Sequence, residues 1–88
     1  MDIFKSAVSP AKRFAAFFED DGETGWFYLL DQALPEGGQV VNAQHIYDGD
    51  HGIRPRDVNV QWSKDSRRVE LWMKGRVRGS FQVDPASM

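Results

Sequence analysis

The 88-residue sequence contains no cysteine. It therefore cannot form disulfides, thiolate metal sites or a thiol nucleophile, and a reducing compartment suits it. The longest uninterrupted apolar runs, such as residues 26–30, are far shorter than the roughly 20 residues that cross a bilayer as a helix. The acid at Asp2 and the lack of an apolar segment before Pro10 argue against a signal peptide. We expect a cytoplasmic protein that does not bind membranes.

A strong net charge and the common catalytic motifs are also missing. The formal net charge of -2 creates no field that would hold the whole protein on nucleic acid. The sequence has no P-loop, no G-x-S-x-G elbow, no G-x-G-x-x-G fingerprint and no paired-histidine helix motif. We therefore expect no nucleic-acid partner and no cofactor, and an enzyme is the least favoured class of function.

Large apolar side chains are well represented, with six Phe, three Trp and two Tyr in a chain that is 41% apolar. Such a composition favours a folded chain over a disordered one, because these side chains gain free energy by leaving water. A chain of this length has enough apolar surface for one core but not for two. We predict a single domain over residues 1–88, with residues 1–10 and 85–88 peripheral or flexible.

Short apolar segments alternate with turn residues along the chain, as in antiparallel β proteins. This spacing predicts a mostly β fold with a single antiparallel meander sheet of five to six strands, either open and curved or closed like a barrel. The candidate strands, rich in Val, Phe, Tyr, Trp and Ile, are residues 13–18, 26–30, 39–47, 57–62, 68–73 and 77–83.

Residues 10–19 fit either a strand or a helix. Ser9 could cap a helix, Pro10 suits a first helical turn and Gly22 could end it. As a strand, residues 14–18 are apolar on both faces, which only a strand covered on both sides explains well. If this segment is helical, the domain is α+β with one short helix and five strands.

The last three candidate strands predict two hairpins. Val60 opposite Val69 keeps the apolar residues of the first hairpin on one face. In the second hairpin, a two-residue turn at 74–75 would mix core and solvent faces. A three-residue loop with a bulge instead pairs Leu71 with Val77 and directs Trp72 outward.

Residues 17–31, FFEDDGETGWFYLLD, resemble a segment of a family of small uncharacterised bacterial proteins with a domain of unknown function. Residues 43–48, AQHIYD, and 62–81, WSKDSRRVELWMKGRVRGSF, are similar to later parts of the same family. Trp26 stands where the family has tyrosine, and Lys74 stands where it has a turn asparagine. The resemblance implies that residues 14–18 form a strand paired with residues 26–30, and it implies no known activity.

We predict a protein-interaction module that binds a protein partner or its own copy through a strand edge or an outer sheet face. Trp and Arg are common anchors of protein interfaces, and the second predicted hairpin places several such residues on its outer face. The predicted interaction face consists of Glu70, Trp72, Arg76 and Arg78.

The alternative function is small-ligand or divalent-metal binding at the acidic turn of residues 19–25. Carboxylates at this density can ligate a hard cation, but their spacing does not match an EF-hand loop, so we assign no metal site. His45, His51 and the aspartates between them also match no metal template. The residues of this alternative site are Glu19, Asp20, Asp21, Glu23 and His45.

Overall fold

The computed structural model describes residues 2–84, which form seven β-strands and one short 3-10 turn, Pro55–Asp57. No α-helix occurs within this range, so the mostly β prediction is confirmed and the α+β alternative is wrong. None of its helical segments is long or apolar enough to span a membrane. The strands are β1 (Ile3–Val8), β2 (Phe14–Asp20), β3 (Thr24–Asp31), β4 (Val40–Asp48), β5 (Val58–Trp62), β6 (Arg68–Met73) and β7 (Arg76–Gln82).

The strands form two antiparallel meander sheets rather than the single sheet that the sequence predicted. The first sheet has the order β1-β2-β3-β4 and the second has the order β5-β6-β7. Their inner faces enclose one core, with β1 against β5 and β4 against β7. The sheets do not close into a barrel, which decides between the two predicted forms.

The ambiguous segment is a strand, as the family resemblance implied. Ser9, the candidate helix cap, is buried and closes the β1–β2 hairpin instead. Its backbone N–H donates to the carbonyl of Phe14 at 2.7 Å, and its Oγ accepts from the Phe14 N–H at 3.2 Å. The helix-start signal at Ser9 is therefore a turn signal, because the same short hydroxyl side chain serves both structures.

Strand β1 falls within residues 1–10, which the sequence analysis expected to be peripheral or flexible. It is the edge strand of the first sheet, and Ile3 opposite Asp20 is buried in the core. Ile3 is the one large apolar residue that β1 places on the inner face, so the sequence of this strand shows little apolar alternation. The expectation for residues 85–88 lies outside the described part of the chain.

The core forms because alternate residues of each strand point inward. Phe14, Phe18 and Phe27 of the first sheet are fully buried, and the Phe27 ring stacks on Phe81 of the second sheet at 4.9 Å between centroids. At Gly79 a β-carbon would lie 2.8 Å from the Gln44 side-chain oxygen. The glycine therefore lets β7 approach β4 closely.

The predicted pairings of the C-terminal hairpins require correction. Val60 pairs with Leu71, not with Val69, although both pairings keep the same faces inward. The second hairpin has the two-residue turn that parity rejected, with Trp72 opposite Val77 and both turn residues at positive φ. An extra residue, Arg78, forms a bulge beyond this pair and places Leu71 opposite Gly79. The bulge restores the parity that the turn alone would break.

Arg13, which precedes β2, and Asp31, the last residue of β3, form an ion pair. It lies at the end of the first sheet opposite the β2–β3 turn. The guanidinium binds both carboxylate oxygens, at 3.1 and 3.0 Å, and the Asp31 side chain is almost fully buried. The hydrogen bond from Arg13 holds the pKa of Asp31 below its ordinary value. Asp31 therefore stabilises the fold above about pH 4, and this contribution is lost as the pH falls through the lower folded pKa.

Asp31→Asn should make the unfolding free energy depend less on pH in the acid range. Because asparagine does not ionise, we expect the difference in unfolding free energy between wild type and variant to shrink as the pH falls from about 5 to 2. Urea unfolding at a series of pH values measures this difference, with Glu36→Gln in the exposed β3–β4 loop as the control. A difference that stays constant with pH would show that the ion pair does not cause the acid sensitivity.

Candidate interaction surface

The side of the first sheet that faces away from the core is mostly apolar. Strand pairing aligns its side chains in three cross-strand rows, each with one residue from β1, β2, β3 and β4. We call these twelve residues the outer face. The aromatic row is Phe4–Glu19–Trp26–His45, the central row is Ser6–Phe17–Tyr28–Ala43 and the aliphatic row is Val8–Ala15–Leu30–Val40.

Several of these apolar side chains are in water. Phe4 is 63% exposed, Val40 is 52% exposed and Val8 is 49% exposed, whereas Glu19, Ser6 and His45 are the polar members of the outer face. The second sheet covers the inner face only. Strands β2 and β3 are thus apolar on both sides, although the described residues 2–84 cover only the inner side. Large exposed apolar patches are typical of interaction surfaces in general.

The rings of the outer face stack on one another. Phe17 lies between Phe4 and Tyr28, with centroid separations of 5.2 and 4.6 Å and interplanar angles of 28°. Trp26 continues the series to His45 at 5.0 Å. Rings at these distances and angles stack on one another, so they form one continuous aromatic surface across the outer face.

The predicted interaction face lies on the second sheet, and its members do not form one apolar surface. Trp72 is half-buried on the outer side, and its indole N–H donates to Glu70 at 3.3 Å. Glu70 also forms an ion pair with Arg68 at 3.1 Å. Arg76 is the first residue of β7. The positive charge of Arg78 favours a lower pKa of Tyr47, which belongs to the other sheet.

The acidic turn uses its aspartates to hold its own backbone. Asp21 accepts hydrogen bonds from the N–H groups of Glu23 and Thr24, both at 2.9 Å, and these bonds lower its pKa. Asp20 is buried and accepts from the Gly22 N–H at 2.8 Å and from the Tyr47 hydroxyl at 2.5 Å. Both side chains therefore have a structural role in this turn.

The residues of the alternative ligand site point in different directions. Glu19 lies on the outer face, whereas Asp20 lies on the inner face. His45 is two strands away from Glu19 and contacts Asp48 at 2.8 Å. Across residues 2–84, no three His, Asp or Glu side chains come together in a group that could hold a metal ion.

The free strand edges of the two sheets are less suitable than the outer face as binding surfaces. The Gln44 side chain exchanges two hydrogen bonds with the backbone of Ser80, which occupies part of the free edge of β7. The Trp62 indole donates to the Ala7 carbonyl of β1 at 2.9 Å. The pairing of β4 with β3 is broken by two register shifts, and an irregular edge pairs poorly with a further strand.

Sequence reasoning missed the outer face as a site, although a signal for it was present. Residues 14–18 and 26–30 are apolar without alternation, which indicates strands covered on both sides. The pattern alone does not show what covers the second side. Phe4 and Val8 gave no signal, because β1 was not predicted.

The fold and this surface define a class: a small two-sheet antiparallel β domain with one solvent-exposed apolar face. The family model described as "Uncharacterized protein conserved in bacteria (DUF2251)" matches residues 1–86, so the chain belongs to this family. This confirms the family resemblance seen in the sequence.

An uncharacterized protein of Haemophilus influenzae is 46% identical to the chain over 74 residues, which is 80% of this chain and 45% of that protein. The chain thus spans less than half the length of this relative. No solved structure matches this protein.

Proposed function

We propose that this protein is a small cytoplasmic protein-interaction module that binds through the outer face of its four-stranded sheet. The observation that carries the proposal is the partly exposed stack of aromatic rings between Phe4 and Trp26, flanked by the aliphatic row. Covering this surface with a partner removes apolar area from water, which is the main favourable term in protein association. Tyr and Trp near the centre of the face match the usual anchors of protein interfaces.

Charge at the centre of the outer face should abolish binding. Immobilised wild-type protein and a Tyr28→Lys variant are exposed to extract of the bacterium that encodes the chain, and retained proteins are quantified by mass spectrometry. The long lysine stem can lie along the neighbouring rings while its ammonium stays in water, so the variant should fold but lose its partners. We expect retention to fall by at least about tenfold, because a partner would have to bury this charge.

The matched control is Val77→Lys, which places the same charge on the outer side of the second sheet at a residue that is 42% exposed. Val77→Lys should retain the same proteins as wild type. Circular dichroism and thermal unfolding check that both variants are folded. Equal retention by all three proteins, or equal loss in both variants, would contradict the proposal.

A further inference from the structure

The outer face is suited to pair with itself. We propose that its occupant is a second copy of this chain, stacked face to face so that the strands of the two sheets run antiparallel. This inference rests on the proposed function, because it names the partner of the same surface. In a two-fold symmetric dimer one apolar patch serves both sides, so a single exposed face is sufficient.

Two of the facing pairs in this arrangement combine a large ring with a smaller aliphatic side chain. The two-fold axis lies between the two sheets, parallel to the central row and perpendicular to the strands. It places the aromatic row of one copy over the aliphatic row of the other. Phe4 then lies over Val8 of the second copy, and Trp26 lies over Leu30. Large rings facing smaller aliphatic side chains can interdigitate, as side chains do between packed sheets.

The charges at the two ends of the sheet favour this orientation. The β2–β3 turn places Asp21 and Glu23 at the end next to the aromatic row, whereas Lys12 lies in the hairpin at the opposite end. A two-fold axis parallel to the strands would bring the two acidic ends together, at an electrostatic cost. The antiparallel stack avoids this cost, because it places each acidic end near the opposite end of the second copy, where Lys12 and Glu36 carry opposite charges and Arg13 is paired with Asp31.

The surface is large enough for a stable dimer. Four strands about 4.8 Å apart, with rows about 7 Å apart along each strand, give a flat footprint of roughly 400 Å² per copy. Standing rings raise the accessible area above this footprint. Two copies therefore bury on the order of 1,000 Å², the total that a specific interface needs.

Sedimentation analysis of the pure protein tests the dimer directly, and exchange of charges tests its orientation. Phe4→Lys and Val8→Glu alter two well-exposed residues of β1 that lie opposite each other only in the antiparallel stack. Each variant alone should dimerise about a hundredfold more weakly than wild type, because the interface must bury two like charges. An equimolar mixture of the two should recover most of this loss, because the introduced ammonium of one variant then faces the introduced carboxylate of the other.

The outcomes separate this inference from the proposed function. A wild-type protein that is monomeric at about 100 μM overturns the dimer. If the Tyr28→Lys capture experiment still shows loss of partners, the proposed function stands with a different partner. A mixture that fails to recover overturns the antiparallel orientation. If Val8→Glu does not fold, His45→Lys with Val40→Glu repeats the test, because these two residues of β4 lie opposite each other in the same stack. Val77→Lys should dimerise like wild type, and a loss there overturns the choice of face.

Discussion

Phe27→Ala should destabilise the fold by about 3–5 kcal/mol, the usual cost of truncating a fully buried phenylalanine to alanine. Phe27 is in a central strand, is completely buried and stacks on Phe81, so it joins the two sheets. Its removal leaves a cavity at this contact that two paired sheets cannot easily collapse to fill. For a domain of this size we expect the melting temperature to fall by more than about 12 °C, as measured by thermal unfolding followed by circular dichroism.

The matched control is Phe4→Ala, the same truncation on the other side of the same sheet. Phe4 is 63% exposed, and its ring stacks on Phe17 on the outer face. Its truncation should change the unfolding free energy by less than about 1 kcal/mol in the monomer, since most of its area is already in water. If the two truncations had similar effects, the assignment of inner and outer faces would be wrong.

The alternation of apolar residues allowed the inner face to be predicted well but not the pairing of strands. Val58, Val60 and Trp62 face the core as predicted, because side chains in a strand alternate with a fixed period of two. Register depends on turn geometry as well. At 74–75 the prediction failed because parity was treated as fixed along β7, whereas the bulge at Arg78 resets it within one residue. A bulge leaves little trace in composition, so the pattern alone could not locate it.

The candidate site could be predicted less well than the fold, because it depends on which sheet covers which face. The unbroken apolar runs in β2 and β3 indicated two covered sides, but they did not say that the described residues 2–84 cover only the inner side. The order of strands into two sheets decides this, and it rests on long-range contacts such as Phe27 against Phe81. Trp72 attracted the functional prediction because of its residue type, whereas its cross-strand neighbours Asn59 and Val77 do not extend it into an aromatic surface.

Tyr47→Phe should destabilise the fold by about 1–3 kcal/mol at neutral pH, although it removes only one oxygen atom. The hydroxyl donates to Asp20, which is buried, so its loss leaves a carboxylate oxygen without this donor in the core. The ring lies against Gly25, where a β-carbon would be 2.9 Å from it, and this close contact fixes its position. Urea unfolding measures the loss, and Tyr28→Phe on the outer face is the control, with an expected change below about 0.5 kcal/mol.

The hydrogen bond between Tyr47 and Asp20 should also make the difference in unfolding free energy between wild type and Tyr47→Phe depend on pH. Burial, followed by the hydrogen bond to Asp20, raises the pKa of Tyr47, and the charge of Arg78 opposes this only in part. A raised folded pKa means that the stabilisation is fully present below the unfolded value, about 10, and is lost as the pH rises above it. The stability advantage of wild type should therefore shrink by up to about 1.4 kcal/mol per pH unit between pH 10 and 11.5. All other ionisable groups are the same in both proteins, so the difference isolates Tyr47, and an advantage that did not change with pH would contradict the buried hydrogen bond.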